Sequence, residues 1–236
     1  MAIYVTSDLH GLAPEKLQAL LAKAGFGPED WLYILGDVID RTGDGGVAML
    51  LWLMEQPNVE MLRGNHEQML LDCDFLFEEI NHRTVKSLDS EKLERLNLYT
   101  YNGGDVTLKY LRKLKKKQPE RIPEILEYLR ETPLYESVEA GGRSFFLVHA
   151  GIEGFSPERK LSEYPAEAFL WPRPEEADAY FPDVITVFGH TPTVFYDHSL
   201  RGRIYHAPHW IDIDVGVHGG YAPALLRLDD LAEFYL

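Results

Sequence analysis

The sequence predicts an α/β fold, and three observations carry that prediction. Short apolar runs of strand length alternate with stretches whose apolar residues recur at helical spacing. The unit of strand, loop and helix repeats three times in series from the first residues, which argues for parallel strands. Most of the apolar runs end in a polar cluster of Gly, Asp, Asn or His, and in open α/β sheets sites gather beyond the carboxyl ends of strands.

Taken in order, Ile3–Thr6 reads as a short buried strand with Ser7-Asp8-Leu9-His10-Gly11 as its terminal loop. A helix follows, with Pro14 in its first turn, Leu17, Leu20, Leu21 and Ala24 on one face, and Gly25 at its end. Trp31–Leu35 is the second strand and runs into Gly36-Asp37-Val38-Ile39-Asp40-Arg41, the stretch around which the chain is organised. Val47, Leu50, Leu51 and Met54 share a helical stripe, Val59–Leu62 is the third strand, and Gly64-Asn65-His66-Glu67 is its terminal loop. From about 68 to 132 the chain reads as a helical insertion within a single domain spanning 1–236. It carries the basic residues Lys109, Arg112, Lys113, Lys115, Lys116 and Lys117 and is broken by Pro119, Pro123 and Pro133. Leu134–Ala140 and Ser144–Val148 flank Gly141-Gly142 as a hairpin, and the second of these ends in His149-Ala150-Gly151. Val184–Phe188 is a buried strand ending in Gly189-His190-Thr191. Trp210–Val215 alternates with period two, and Ala224–Leu228 is expected to pair beside it.

Composition narrows the function. The 236 residues are 45% hydrophobic, enough for a sizeable core. A formal net charge of −15 argues against nucleic acid as a partner, yet not against a phosphorylated substrate, because bound metal ions reverse the local sign. The single cysteine, Cys73, excludes an intrachain disulfide framework and fits a reducing compartment. It sits among Met69, Leu70 and Phe77, where core packing is its expected role. No basic leader precedes the first strand, and the longest apolar run, near Val47–Leu53, is far short of a membrane span. A soluble, cytoplasmic protein without membrane contact is the expectation.

Five loops, each directly after a strand, carry Asp8 with His10, Asp37 with Asp40 and Arg41, Asn65 with His66, His149, and His190. Asp8 and His10 are two apart, so on an extended segment both point to one side. The donors are oxygen and imidazole nitrogen without thiolate, a set suited to manganese, iron or zinc. One carboxylate shared by two divalent ions lets them sit about 3.5–4 Å apart. Asp37, at the end of the central strand, is read as that bridge.

These clusters, in this order, resemble the successive motifs of the calcineurin-like metallophosphoesterases, most closely the small bacterial and phage-type phosphoprotein phosphatases. The resemblance spans residues 8 to 191 and leaves the helical insertion uncovered. It implies a sandwich of two mixed β-sheets flanked by helices, and a pair of divalent metal ions, manganese first and iron or zinc as alternatives. Asp8, His10 and Asp37 would hold one ion; Asp37, Asn65, His149 and His190 would hold the other. His66 would be the general acid, Asp40 would hold its other ring nitrogen, and Arg41 would clamp phosphate oxygens. Arg173, in Leu170-Trp171-Pro172-Arg173, resembles a second phosphate-binding arginine by a looser match. Two departures stand out: Ser7 and Thr42 occupy positions where the family usually has Gly.

The implied reaction is in-line attack on phosphorus by a hydroxide bridging the two metals, with His66 protonating the leaving oxygen. The expected substrates are phosphoserine and phosphothreonine in proteins, or a small phosphoester. A symmetrical dinucleoside tetraphosphatase is the first rival, ranked second because that branch tends to carry Ala where this chain has Asp40. A scaffold that binds phosphate without catalysis is the other rival, and the complete ligand set argues against it. Arg63 is expected to form a structural ion pair. Of the remaining histidines, His82, His198, His206 and His209 receive no role, while His218 lies in Gly216-Val217-His218-Gly219-Gly220, which resembles a loop near the family's active site.

Overall fold

The computed structural model describes residues 1–79 and 88–236. Among the described residues ten strands form two five-stranded mixed sheets. The first sheet contains β1 (Ile3–Thr6), β2 (Trp31–Ile34), β3 (Val59–Met61), β9 (Ala224–Arg227) and β10 (Ala232–Tyr235), in the order β10-β9-β1-β2-β3. The second contains β4 (Tyr135–Ala140), β5 (Arg143–Val148), β6 (Val184–Phe188), β7 (Tyr205–His206) and β8 (Trp210–Asp212), in the order β4-β5-β6-β8-β7. β1, β2 and β3 run parallel in one sheet, and β5, β6 and β8 run parallel in the other.

Period-two alternation distributes the side chains among three layers. Ile3 and Val5 join Phe145, Leu147, Val187, Ile211 and Leu226 in the core between the sheets. Tyr4, Leu32, Ile34 and Met61 point the other way, into a core shared with helices. Phe146, Val148, Phe188 and Trp210 form the outer core of the second sheet with Ile152, Tyr164, Phe169 and Tyr180. The expected two-sheet sandwich flanked by helices is borne out.

The helices follow their local signals. α1 (Pro14–Ala24) begins on Pro14, buries Leu17, Leu20, Leu21 and Ala24, and ends on Gly25, whose φ of 75° suits a residue without Cβ. α2 (Val47–Leu53) and α3 (Asn65–Asp72) complete the first three units. Between β3 and β4 the described residues form α3, α4 (Ser90–Tyr101), α5 (Gly104–Lys117) and α6 (Arg121–Glu131); part of the anticipated helical stretch, with His82, lies outside the described residues. α5 buries Gly104, Thr107, Leu108 and Leu111, with Lys115, Lys116 and Lys117 in its last turn, where cations complement the helix dipole. A short α7 (Glu167–Leu170) packs on the second sheet. Among the described residues no helix is long and apolar enough to cross a membrane.

Two sequence expectations are corrected. Ala224–Leu228 does not pair beside Trp210–Val215: β9 lies antiparallel to β1 and β10 in the other sheet. The chain crosses between sheets after β8, so neighbours in sequence part company there. Among the described residues Arg63 forms no ion pair; its guanidinium donates to the Arg130 carbonyl at 2.6 Å and the Thr132 carbonyl at 3.1 Å, closing the carboxyl end of α6.

Candidate metal centre

The carboxyl ends of β1, β2, β3, β5 and β6 bring together Asp8 and His10, Asp37 and Asp40, Asn65 and His66, His149, and His190. Close backbone approach makes this possible. A Cβ on Gly64 would lie 2.2 Å from Asp37 Oδ1, and one on Gly189 would lie 2.2 Å from Asp8 Oδ2. Asp8, His10, Asp37, Asp40, Arg41 and His190 all adopt positive φ, as only Asp183 and Leu231 do among the other described non-glycine residues. Left-handed backbone in such residues is uncommon and gathers at functional sites.

Two groups of donors meet at Asp37. His10, Asp37 and His66 form one, and Asp37, His149 and His190 form the other; within each group the ligand atoms lie within 4.8 Å of one another. Hydrogen bonds fix which ring nitrogens face inward. His10 Nδ1 donates to the Ile39 carbonyl at 3.0 Å, so its Nε2 lone pair faces Asp37 Oδ2 at 3.7 Å and Asp8 Oδ1 at 3.8 Å. His149 Nδ1 donates to the Leu35 carbonyl at 2.7 Å, which turns its Nε2 lone pair toward Asn65 Oδ1 at 2.9 Å. His190 Nδ1 lies 3.1 Å from the same oxygen. Ser7 Oγ donates to Asp8 Oδ2 at 2.5 Å and the His190 amide donates to it at 2.9 Å, leaving Oδ1 for the cluster. Ser7, a departure from the family pattern, thus serves to orient Asp8.

The electrostatics match this geometry. Burial lowers the pKa of His10, His149 and His190, the last to about 2, so these rings are neutral with free lone pairs. Burial, then the Asp8 charge, then Glu67, raise the Asp37 carboxyl well above its ordinary range. Among the described residues no lysine or arginine forms an ion pair with Asp8 or Asp37. Carboxylates, the Asn65 amide and imidazole lone pairs therefore converge, with the Arg41 guanidinium at their edge, 3.1 Å from His66 Nε2. The chemistry of these donors suits a divalent ion on either side of Asp37; on the His10 side Asp8 Oδ1, 3.8 Å from His10 Nε2, is the further oxygen.

The profile of the calcineurin-like phosphoesterase family matches residues 1–211. The chain belongs to that family. Its relatives include symmetrical bis(5'-nucleosyl)-tetraphosphatases. That of Haemophilus ducreyi is 31% identical over 209 residues, covering 86% of this chain and 63% of the relative. That of Acidovorax sp. (strain JS42) is 29% identical over 153 residues, covering 64% and 44%. The chain thus spans less than two thirds of the length of these curated relatives. Among solved structures it resembles a provisionally named diadenosine tetraphosphatase, with 19% identity, a TM-score of 0.59 and coverage of 100% of this chain and 92% of that one. It also resembles a protein serine/threonine phosphatase from Saccharomyces cerevisiae, with 17% identity, a TM-score of 0.57 and coverage of 97% and 72%. At those identities the solved structures speak to the fold alone.

Other residues of this calcineurin-like centre complete the picture. His66 Nδ1 donates to Asp40 Oδ2 at 2.7 Å, and its Nε2 accepts from Arg41 Nη2 at 3.1 Å. His218 stands edge-on to His10, ring centres 5.3 Å apart, so its loop does reach the site. His206 instead pairs with Glu233 at 2.7 Å. Arg173 is exposed; its charge helps depress His190, and it lines a cleft of about 350 Å³ with Ile152, Glu153, Asp178 and Tyr180. A cleft of about 570 Å³ lies beside His10 and Arg41, bordered by Gly11, Lys16, Thr42, Val217 and Tyr221. A further cleft of about 820 Å³, between Phe155, Phe181, Ile185 and His209, adjoins the start of β6, the opposite end of that strand from His190.

Sequence reasoning assigned no role to Glu67, Tyr99 or Thr107. Buried Glu67 accepts the amides of Asp37 at 2.9 Å, Val38 at 2.9 Å, Ile39 at 3.3 Å and Gly64 at 3.0 Å, tying the β2 loop to the β3 loop. Its position directly after Asn65-His66 was the available signal.

Proposed function

We propose that this chain hydrolyses phosphoesters at a pair of divalent metal ions, with dinucleoside polyphosphates as its substrate class. The observation that carries the reaction is the sharing of Asp37 by two ligand groups. Asp8, His10 and Asp37 would hold one ion, and Asp37, Asn65, His149 and His190 the other. The oxygen and nitrogen donors suit manganese, with iron or zinc as alternatives. When bound, the ions supply positive charge for phosphoryl oxygens and a water acidified into the neutral range.

The chain's own groups do the rest. The Arg41 fork matches two phosphate oxygens, and its backbone is held by the Gly103 carbonyl at 3.2 Å. Asp40 fixes the His66 ring through Nδ1; once Arg41 turns from Nε2 to a phosphate oxygen, a protonated Nε2 would face the leaving oxygen and supply its proton. Arg173, across the site beside His190, is suited to a further phosphate. The cysteine is buried and unpaired, in keeping with a cytoplasmic setting.

The substrate class is supported by the relatives' names, which reverse the order of the two readings that Asp40 alone suggested. Two clefts, one lined by Arg173 and the other by Gly11 and Thr42, offer room for the two nucleoside arms of such a substrate. A second reading, hydrolysis of phosphoserine and phosphothreonine, is favoured by one observation, the Asp40–His66 pair. A nucleoside diphosphate departs as a stable anion, whereas a serine alkoxide requires a proton. The deciding experiment assays manganese-loaded protein against a dinucleoside tetraphosphate, a phosphoserine peptide and an aryl phosphate. Preferred turnover of the dinucleotide to two nucleoside diphosphates is expected. Turnover of the peptide alone would transfer the proposal to the second reading, and no turnover of any ester with any divalent metal would refute both.

A further inference from the structure

We infer that the helical segment between β3 and β4 positions the acid of the reaction: Tyr99 and Thr107 hold Asp40 in the orientation that presents His66. This inference rests on the functional reading of His66 given above. Asp40 is fully buried, and its two carboxylate oxygens have separate duties. Oδ2 accepts from His66 Nδ1 at 2.7 Å. Oδ1 accepts from Tyr99 Oη at 2.8 Å and Thr107 Oγ1 at 2.5 Å. Thr107 Oγ1 in turn accepts the Asp40 amide at 3.0 Å, so one side chain fixes both ends of the residue.

External support of this kind is what the local backbone requires. Asp40 and Arg41 stand at φ 76° and 66°, a region neither prefers, so their own stretch does not hold them there. The next residue is braced from the same helices, since the Gly103 carbonyl accepts the Arg41 amide at 3.2 Å. The spelling Tyr99-Thr100-Tyr101-Asn102-Gly103-Gly104-Asp105-Val106-Thr107 then has a physical reading. Gly103 takes φ 96°, and a Cβ there would press within 3.0 Å of Arg41 Cγ. A Cβ on Gly104 would lie 2.3 Å from the Tyr99 ring. Both glycines let α4 and α5 close on the Asp40 loop. Burial, reinforced by the Asp40 charge, raises the Tyr99 pKa well above the ordinary range and keeps it a proton donor.

Satisfying a buried carboxylate is a structural duty, and positioning His66 is a catalytic one; the two part on leaving-group dependence. Metal-loaded Thr107→Val and Tyr99→Phe are compared with Thr107→Ser on an alkyl and an aryl phosphomonoester. Proton NMR follows the His66 Nδ1–H resonance in the same samples. Loss of a hydrogen bond to a charged acceptor predicts that Thr107→Val and Tyr99→Phe slow the alkyl ester by about tenfold more than the aryl ester. Thr107→Ser should recover most of the difference, and the resonance should shift in Thr107→Val and return in Thr107→Ser. Equal losses on both esters with an unmoved resonance overturn the inference. His66→Asn is run alongside: if it slows both esters equally, His66 is not the acid, and the resonance alone then judges whether Tyr99 and Thr107 position the ring.

Discussion

Replacing Glu67 with Ala removes the acceptor of four buried amides, those of Asp37, Val38, Ile39 and Gly64. An unsatisfied buried donor costs about 1–3 kcal/mol, so independent losses would sum to several kcal/mol. Local relaxation and entry of water reduce that sum, and we expect a net loss of about 3–5 kcal/mol. For a chain of this size that corresponds to a fall in melting temperature of roughly 6–20 °C. Glu67→Gln should recover little, because its single oxygen serves one pair of amides while its NH₂ group meets the other pair, donor against donor. The assay is denaturant unfolding of chelator-treated protein, which separates the fold from the metals. Metal titration of the folded variant should then show affinity weakened by about 10–100-fold, since the amides of Asp37 and Gly64 flank the candidate ligands. A Glu67→Gln variant within about 0.5 kcal/mol of the parent would refute the reasoning, as that is the range of an inert surface change.

The proposed bridge at Asp37 predicts that Asp37→Asn loses at least one ion and nearly all activity; full occupancy by elemental analysis would count against it. Because burial and Asp8 raise the Asp37 carboxyl, metal binding should expel its proton, so affinity should weaken as pH falls; calorimetry in buffers of different ionisation enthalpy measures the proton count. Burial, and next the Asp214 charge, also raise Asp212, so the native state holds its proton more tightly than the unfolded chain and loses stability as pH rises above the unfolded carboxyl range. Asp212→Asn should therefore gain on the parent as pH rises above the unfolded carboxyl range, about pH 4, in metal-free urea titrations, and a pH-independent difference would contradict this. Tyr221 lies over Gly202 and Gly216 in the cleft beside His10, so Tyr221→Ala should raise KM for a dinucleotide by about tenfold while an aryl phosphate is unaffected; equal KM changes would place the nucleoside elsewhere.

The five candidate ligand loops were legible because each is a short contiguous stretch at the end of a strand that its own composition marks. Asp8 and His10, or Asp37 with Asp40 and Arg41, need only a few residues to declare themselves. What stayed hidden is held by contacts that leave no local trace. Tyr99 reaches Asp40 across 59 residues and Thr107 across 67, through helices whose periodicity reports only a buried stripe. The pairing of β9 with β1 escaped for a related reason, since apolar alternation states that a strand is buried and not in which sheet. Short edge strands such as β7, two residues long, lack enough alternation to be read at all.

The distribution of strain explains why those distant contacts are needed. Six side chains of the site sit on left-handed backbone, and each such residue costs on the order of 1–3 kcal/mol. The loops also gather carboxylates that repel one another. Neither cost is met within the loops themselves. It is offset by bonds that tie one strand end to another: His149 Nδ1 to the Leu35 carbonyl across 114 residues, Glu67 to the Asp37 amide across 30, and His10 Nδ1 to the Ile39 carbonyl across 29. Each of these bonds joins the end of one parallel strand to the end of another. The two sheets must therefore already be in register before the donors converge, and a loop removed from that framework would relax. The same logic leaves the helices between β3 and β4 as the part of the chain free to differ in length and surface, provided that the few residues reaching Asp40 and Arg41 keep their grip.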